Sequence, residues 1–301
     1  MHKAITLIAK LLALLAAVGI PYLFLLYRWV QANDFDYCKA TYAANSLILG
    51  DSRTRKGIAP QALQEELGLQ GKILNLAFNG VNSPYGELYY KLIRKKVARG
   101  ATDGLFVVTV DPGSVMDYQG AYGQREADFK FYKLWCANAD PNIEYLIRNV
   151  SGKNSLATEL ISPRKRWRSY EVFHKNGWVE RRPSGIQVRS FSEMKFNERN
   201  PVRSEKREKY LDKTIAFLKQ YGQVVIVRMP VSEQMLAEEN EAYPGFNGLL
   251  EGLGQKHGAP YFDFSGEGSH YSFYDGHHHL DGPGALAFSH ALAERIREAG
   301  R

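Results

Sequence analysis

The chain has 301 residues, a formal net charge of +7 and two cysteines. That length suits one large domain with an insertion better than two equal domains. With 45% hydrophobic and 24% charged residues it reads as an ordinary globular protein, which excludes a low-complexity chain, and two cysteines make no metal site by spacing.

The first element is apolar. Residues 11–27 (LLALLAAVGIPYLFLLY) carry no charge, and with residues 4–9 they approach the ~20 residues that span a bilayer. Lys3 and Lys10 lie on the amino side, Arg28 on the other, and Tyr22, Tyr27 and Trp29 gather at the far end, as interfacial aromatic rings do. The charge bias favours the amino end inside the cell, so residues 1–32 are expected to be a single-pass anchor in the inner membrane with the domain on the periplasmic side. A cleaved signal peptide is the rival, because Val30-Gln31-Ala32 offers the small residues a peptidase needs. Either reading exports the domain. An oxidising compartment would permit a Cys38–Cys136 disulfide. Nucleic acid is not an expected partner.

Residues 33–45 are expected to form a linker, with the domain running from 46 to 301. Five apolar runs then read as strands: 46–50 (SLILG), 72–78 (KILNLAF), 104–110 (GLFVVTV), 223–228 (QVVIVR) and 260–264 (PYFDF). Their apolarity is continuous, as in parallel strands covered on both faces. Helical periods fall between them at 60–67, 84–98, 204–221, within 231–257, and at 283–298. Alternating strands and helices predict an α/β fold, a three-layer sandwich around a mainly parallel five-stranded sheet. Residues 118–203 break the rhythm and read as an insertion, helical near 142–149. Arg164, Lys165, Arg166, Arg168, Arg181, Arg182 and Arg189 crowd there, as a solvated face or a patch for an anionic glycan or lipid.

Two short segments carry chemistry. In Leu49-Gly50-Asp51-Ser52-Arg53 a buried strand ends, a glycine allows a tight turn, and a serine precedes a helix. Sheet edges of this kind bind ligands, and a serine there becomes a nucleophile if a base reaches it. The same residue types also suit a helix cap. Near the other end, Tyr274-Asp275-Gly276-His277-His278-His279-Leu280 precedes the last helix. An Asp and a His from one loop can supply a base and the group that orients it. Metal binding is the rival, but adjacent histidines point in different directions.

Together these segments resemble the SGNH (GDSL-like) hydrolases, over roughly residues 46–299. The resemblance implies a flavodoxin-like sheet, Ser52 as nucleophile, Asp275 as the orienting acid and no cofactor. It leaves the base open. Asp-x-x-His spacing selects His278, which is slightly favoured. The pattern His-Leu-x-x-x-Gly-Ala, read back from Gly284 and Ala285, selects His279. The resemblance also implies oxyanion donors from Ser52 and Gly80. The asparagine block expected after the third strand is replaced by Val110-Asp111-Pro112-Gly113, and Asn82 is the substitute donor considered. Asn79 and Asn82 also suit plain turn chemistry.

An exported chain of this kind is similar to DltD-like and alginate-acetylation-like proteins, and Arg228-Met229-Pro230-Val231-Ser232 after the fourth strand adds to that likeness. What this implies is an acyl esterase or O-acyltransferase working on an envelope polysaccharide or acylated polymer, beside a membrane-bound O-acyltransferase. The alternative is a non-catalytic accessory protein that binds such a glycan or such an acyltransferase. A generic lipase is more distant, since no apolar lid segment is evident.

Overall fold

A computed structural model describes residues 2–34, 37–79, 85–118, 136–149, 170–182 and 201–300. Its strands in chain order are β1 (Ser46–Leu49), β2 (Ile73–Asn75), β3 (Gly104–Thr109), β4 (Met116–Tyr118), β5 (Glu171–Phe173), β6 (Val179–Arg181), β7 (Pro201–Arg203), β8 (Gly222–Arg228) and β9 (Tyr261–Asp263). Five of them form one sheet in the order β2-β1-β3-β8-β9, and every pairing in it is parallel. Each expected strand is present at its expected place; β8 is longer by one residue, Gly222, and the other four are trimmed by one to four residues.

Side chains alternate between the faces of a strand, and the core divides accordingly. Leu47, Leu49, Phe106, Val108, Val224 and Ile226 face one way. There they meet Leu92 and Ile93 of the helix Glu87–Lys96, Leu211 and Ile215 of Glu205–Leu218, and Leu250 of Phe246–His257. Ile48, Leu105, Val107, Val225 and Val227 face the other way, against Leu63 of the helix Pro60–Leu67 and Phe288, Leu292 and Ile296 of Gly282–Glu298. The result is an α/β/α sandwich. Each of these fully buried side chains contributes about 1.5–3 kcal/mol relative to exposure. Because the sheet is covered twice, its strands carry no polar face, which is why they read as continuous apolar runs.

The first helix, His2–Asn33, is long and apolar enough to cross a membrane, with a mean hydropathy of 2.2 over its most apolar stretch and none of that stretch buried. Its last turns behave differently. Leu26 and Val30 are buried in the domain core. Tyr27 packs edge-on against Tyr37, and the Tyr145 hydroxyl donates to Asp34 at 2.8 Å. Residues 37–41, inside the expected linker, form a short helix, Tyr37–Thr41, that is itself buried. Lys39 from it reaches the Ala77 carbonyl just after β2 and lies over the Phe78 ring at 4.2 Å. Cys38 and Cys136 form no disulfide.

The segment expected to be an insertion is bracketed by two paired strands: β4 pairs antiparallel with β7, Tyr118 opposite Pro201. Within it β5 and β6 make a hairpin, and the helix Ile143–Asn149 falls where one is expected. The hairpin packs on the helix Ser52–Gly57 through Trp178, whose indole N–H donates to the Lys56 carbonyl at 2.8 Å. Of the basic cluster, Arg181 and Arg182 are described. Arg181 is buried under Tyr170 and Tyr274 rather than solvated, while Arg182 is exposed. Its other members lie outside the described residues.

Candidate active site

β1 ends at Leu49 and the chain turns at Gly50, whose φ of 152° favours glycine. A Cβ there would stand 2.0 Å from the Thr109 hydroxyl and 2.2 Å from that of Thr54, so glycine is required sterically as well. Asp51 caps the next helix by accepting the Arg53 N–H at 2.9 Å. Ser52 is the first residue of that helix, at the carboxyl edge of the sheet. The capping role and the presentation of Ser52 therefore coexist.

The late loop meets it there. The Tyr274 N–H donates to the His279 carbonyl at 3.1 Å, and Phe273 bridges Leu280. Gly276, at φ 74°, makes the turn between them. One oxygen of Asp275, Oδ1, accepts the backbone N–H groups of His277, His278 and His279 at 3.0, 3.1 and 3.1 Å. Its other oxygen meets His279 Nδ1 at 2.6 Å, and His279 Nε2 meets the Ser52 hydroxyl at 2.8 Å. A continuous chain of hydrogen bonds thus joins a serine in the first quarter of the sequence to an acid and imidazole near its end.

The ring that reaches Ser52 is His279, not the slightly favoured His278. The closing of the loop on itself sets this, because it folds the fourth residue after Asp275 back over the carboxylate. His278 Nδ1 lies 3.6 Å from the carboxylate, too far for a hydrogen bond, and has no hydrogen-bond partner among the described residues. The two rings lie beside each other with centroids 4.1 Å apart. Gly80 and Asn82 lie outside the described residues.

Electrostatics favour a neutral base beside a charged acid. Burial disfavours the Asp275 carboxylate, but the hydrogen bond from His279, the neighbouring imidazoles and the His277 N–H outweigh it and hold the acid well below the usual carboxylate range. Burial lowers His279, against the raising pull of Asp275. Burial also lowers His278, helped by the His279 ring and the Arg53 guanidinium. At neutral pH the His279 ring is then unprotonated and able to accept a proton at Nε2.

Sequence reasoning missed two supports of this loop. Tyr274 stacks on the His279 ring, with centroids 5.5 Å apart and planes 21° from parallel, and Lys56 donates to its hydroxyl. Behind Ser52, Arg53 pairs with Glu239 at 2.6 Å, and Arg228 pairs with the same carboxylate at 3.0 Å. Tyr274 was visible only as a loop residue, and nothing in the spacing of Arg53, Arg228 and Glu239 marks them as neighbours.

Asp275, His278 and His279 also bring one ligand atom each within 4.8 Å of one another, the minimum for a metal site. Both oxygens of Asp275 and both ring nitrogens of His279 are already hydrogen-bonded inside the protein. The donor set therefore fits a proton relay better than a cation.

The fold and site together define an α/β protein with a serine–histidine–aspartate arrangement at the carboxyl edge of a parallel sheet. No protein-family model matches the chain, and no curated protein matches it. Among solved structures it is similar to a carbohydrate acetylesterase family member from Sinorhizobium meliloti, at 15% identity and a TM-score of 0.37, covering 84% of this chain and 98% of that one. The inhibitor-bound form of M. smegmatis aryl esterase follows, at 13% identity and 0.37, over 84% and 99% of the two chains.

Proposed function

We propose that this protein is an SGNH-type serine acyl esterase or O-acyltransferase that works on an envelope polysaccharide or related acylated polymer, held at the inner membrane by its first helix with the domain outside. The observation that carries this reading is the unbroken chain of contacts from Ser52 Oγ through both nitrogens of His279 to Asp275, at 2.8 and 2.6 Å. Such an arrangement supports nucleophilic catalysis in a way that neither motif does alone.

Ser52 Oγ attacks the acyl carbonyl while His279 Nε2 takes the hydroxyl proton. Asp275 holds Nδ1–H, fixes the tautomer and stabilises the imidazolium. The carbonyl oxygen becomes an oxyanion, accepted by the Ser52 N–H and, on this reading, by Gly80 and Asn82. Collapse expels the alcohol, which takes the proton from His279 and leaves an acyl-serine. Water or a sugar hydroxyl then gives its proton to His279 and attacks the acyl-serine, and His279 returns that proton to Ser52 Oγ as the acyl–oxygen bond breaks, releasing the free acid or the new ester.

A fluorophosphonate probe tests the nucleophile. The full-length protein should be labelled, and Ser52→Ala should not. Absence of labelling on the wild type would remove the catalytic reading and leave a glycan- or acyltransferase-binding accessory protein.

A further inference from the structure

Asp111 is a buried acid that the Ser52–His279–Asp275 chain does not use. It is 8% exposed and stands just past β3, the strand beside β1. Leu49 pairs with Val108 in the parallel ladder, so Ser52 and Asp111 each lie three residues beyond the same rung. Thr109 ties the two strand exits together. Its hydroxyl donates to the Leu49 carbonyl at 3.0 Å and touches the Thr54 hydroxyl. The Asp111 backbone is fixed as well, since its N–H donates to the Ser114 hydroxyl at 3.2 Å and its Oδ1 accepts the Ser114 N–H at 3.2 Å. Its other oxygen, Oδ2, is the one available to carry a proton.

The charged groups near enough to act on the Asp111 carboxyl are Asp51 and Arg53 on the Ser52 turn and Glu239 on the helix Glu233–Ala242, and the Asp111 charge in turn acts on the Tyr85 hydroxyl. Arg53 and Arg228 both close on Glu239. If Asp51, Asp111 and Glu239 were all ionised, these acids would outnumber the two guanidiniums inside a buried cluster, an arrangement that costs several kcal/mol. A proton on Asp111 removes the excess.

We infer that Asp111 acts as a neutral carboxylic acid, donating its proton in a hydrogen bond to the oxyanion formed when Ser52 attacks a carbonyl. The inference rests on the acyl-transfer reading of Ser52. Burial, then the charge of Asp51, push the Asp111 carboxyl up to about 8, against the pull of Arg53. At pH 7 it is therefore protonated. A carboxylic acid kept neutral so that it can donate is an established catalytic device. A protonated carboxyl matches an asparagine amide in shape and also offers a donor, which accounts for the absence of asparagine from this strand exit.

Hydrolysis of p-nitrophenyl acetate by the full chain in detergent, with fluorophosphonate labelling alongside, tests this. Asp111→Ala should lose about 10²–10³-fold in kcat, as removal of one oxyanion donor does, with KM little changed. Asp111→Asn should lose far less than Asp111→Ala, because its amide also donates. Wild-type kcat/KM should decline above about pH 8 as Asp111 ionises, and Asp111→Asn should stay level there. Thermal melting separates folding defects from chemistry, since Asp111→Asn should melt above the wild type beyond pH 8. If Asp111→Asn falls as far as Asp111→Ala, or keeps the wild-type alkaline decline, Asp111 is not a donor, while Ser52 still labels. If the wild type neither labels nor turns over, the acyl-transfer reading fails and takes this one with it.

Discussion

Asp275, in the loop that carries His279, and Asp111, just past the strand beside β1, are both buried carboxyls, yet the same side chain is held in opposite states. Asp275 receives three backbone N–H groups on one oxygen and an imidazole on the other, so its charge is stabilised more than burial penalises it. Asp111 receives one backbone N–H and sits beside other acids, so burial and repulsion win and it keeps its proton. The difference is the count and sign of what each carboxyl faces, not the depth at which it lies. An anion orients a base; a neutral acid can donate to an anion. One fold thus supplies both roles around a single hydroxyl.

The strongest way to break this contrast is to remove its centre. Ser52→Ala should abolish turnover, on the order of 10⁶-fold by kcat on an activated ester. Asp275→Asn keeps the shape but loses the charge, and should cost about 10⁴-fold in kcat. Its pH profile sharpens the point. Wild-type kcat/KM should rise with pH through a midpoint below 6.5, because His279 must lose its proton to work and is depressed by burial. In Asp275→Asn that midpoint should move lower still, since the carboxylate is what raises the imidazole.

Stability should separate the two acids by sign. Asp275 has a lowered folded pKa, so its contribution is present above the unfolded value of about 4 and is lost as pH falls. Asp111 has a raised one, so its contribution is complete below about pH 4 and is lost as pH rises toward about 8. At neutral pH Asp275→Asn should lower the melting temperature and Asp111→Asn should raise it. Glu239→Ala leaves Arg53 and Arg228 buried without their shared carboxylate, and should cost about 3–5 kcal/mol in unfolding free energy, read by denaturant titration. The smallest effect belongs to His278→Gln. The His278 ring hydrogen-bonds neither Ser52 nor Asp275, and the backbone N–H that it gives Asp275 survives the substitution, so kcat should change far less than in His279→Gln. A loss as large as that of His279→Gln would reverse the assignment of the two rings.

What the sequence determined by itself was local. Continuous apolar runs identify strands buried on both faces, because a parallel sheet covered by helices leaves no polar side. Helical spacing fixes the elements between them, and the helix Pro60–Leu67 falls where its periodicity puts it. Gly50 could be placed at a tight turn before a serine, because glycine tolerates backbone that other residues rarely adopt. Other features were decided by contacts between distant segments. The ring that meets Ser52 depends on how residues 273–280 fold back, and spacing from Asp275 carries no information about that closure. The helix Tyr37–Thr41 looks like a polar linker until Ala77 and Phe78 arrive to bury its lysine. The protonation of Asp111 follows from burial first and then from Asp51 and Glu239, which are 60 and 128 positions away in the chain. Periodicity reports what a residue does for its own element. Charge state and site geometry depend on the neighbours that folding brings, and those exist only in three dimensions.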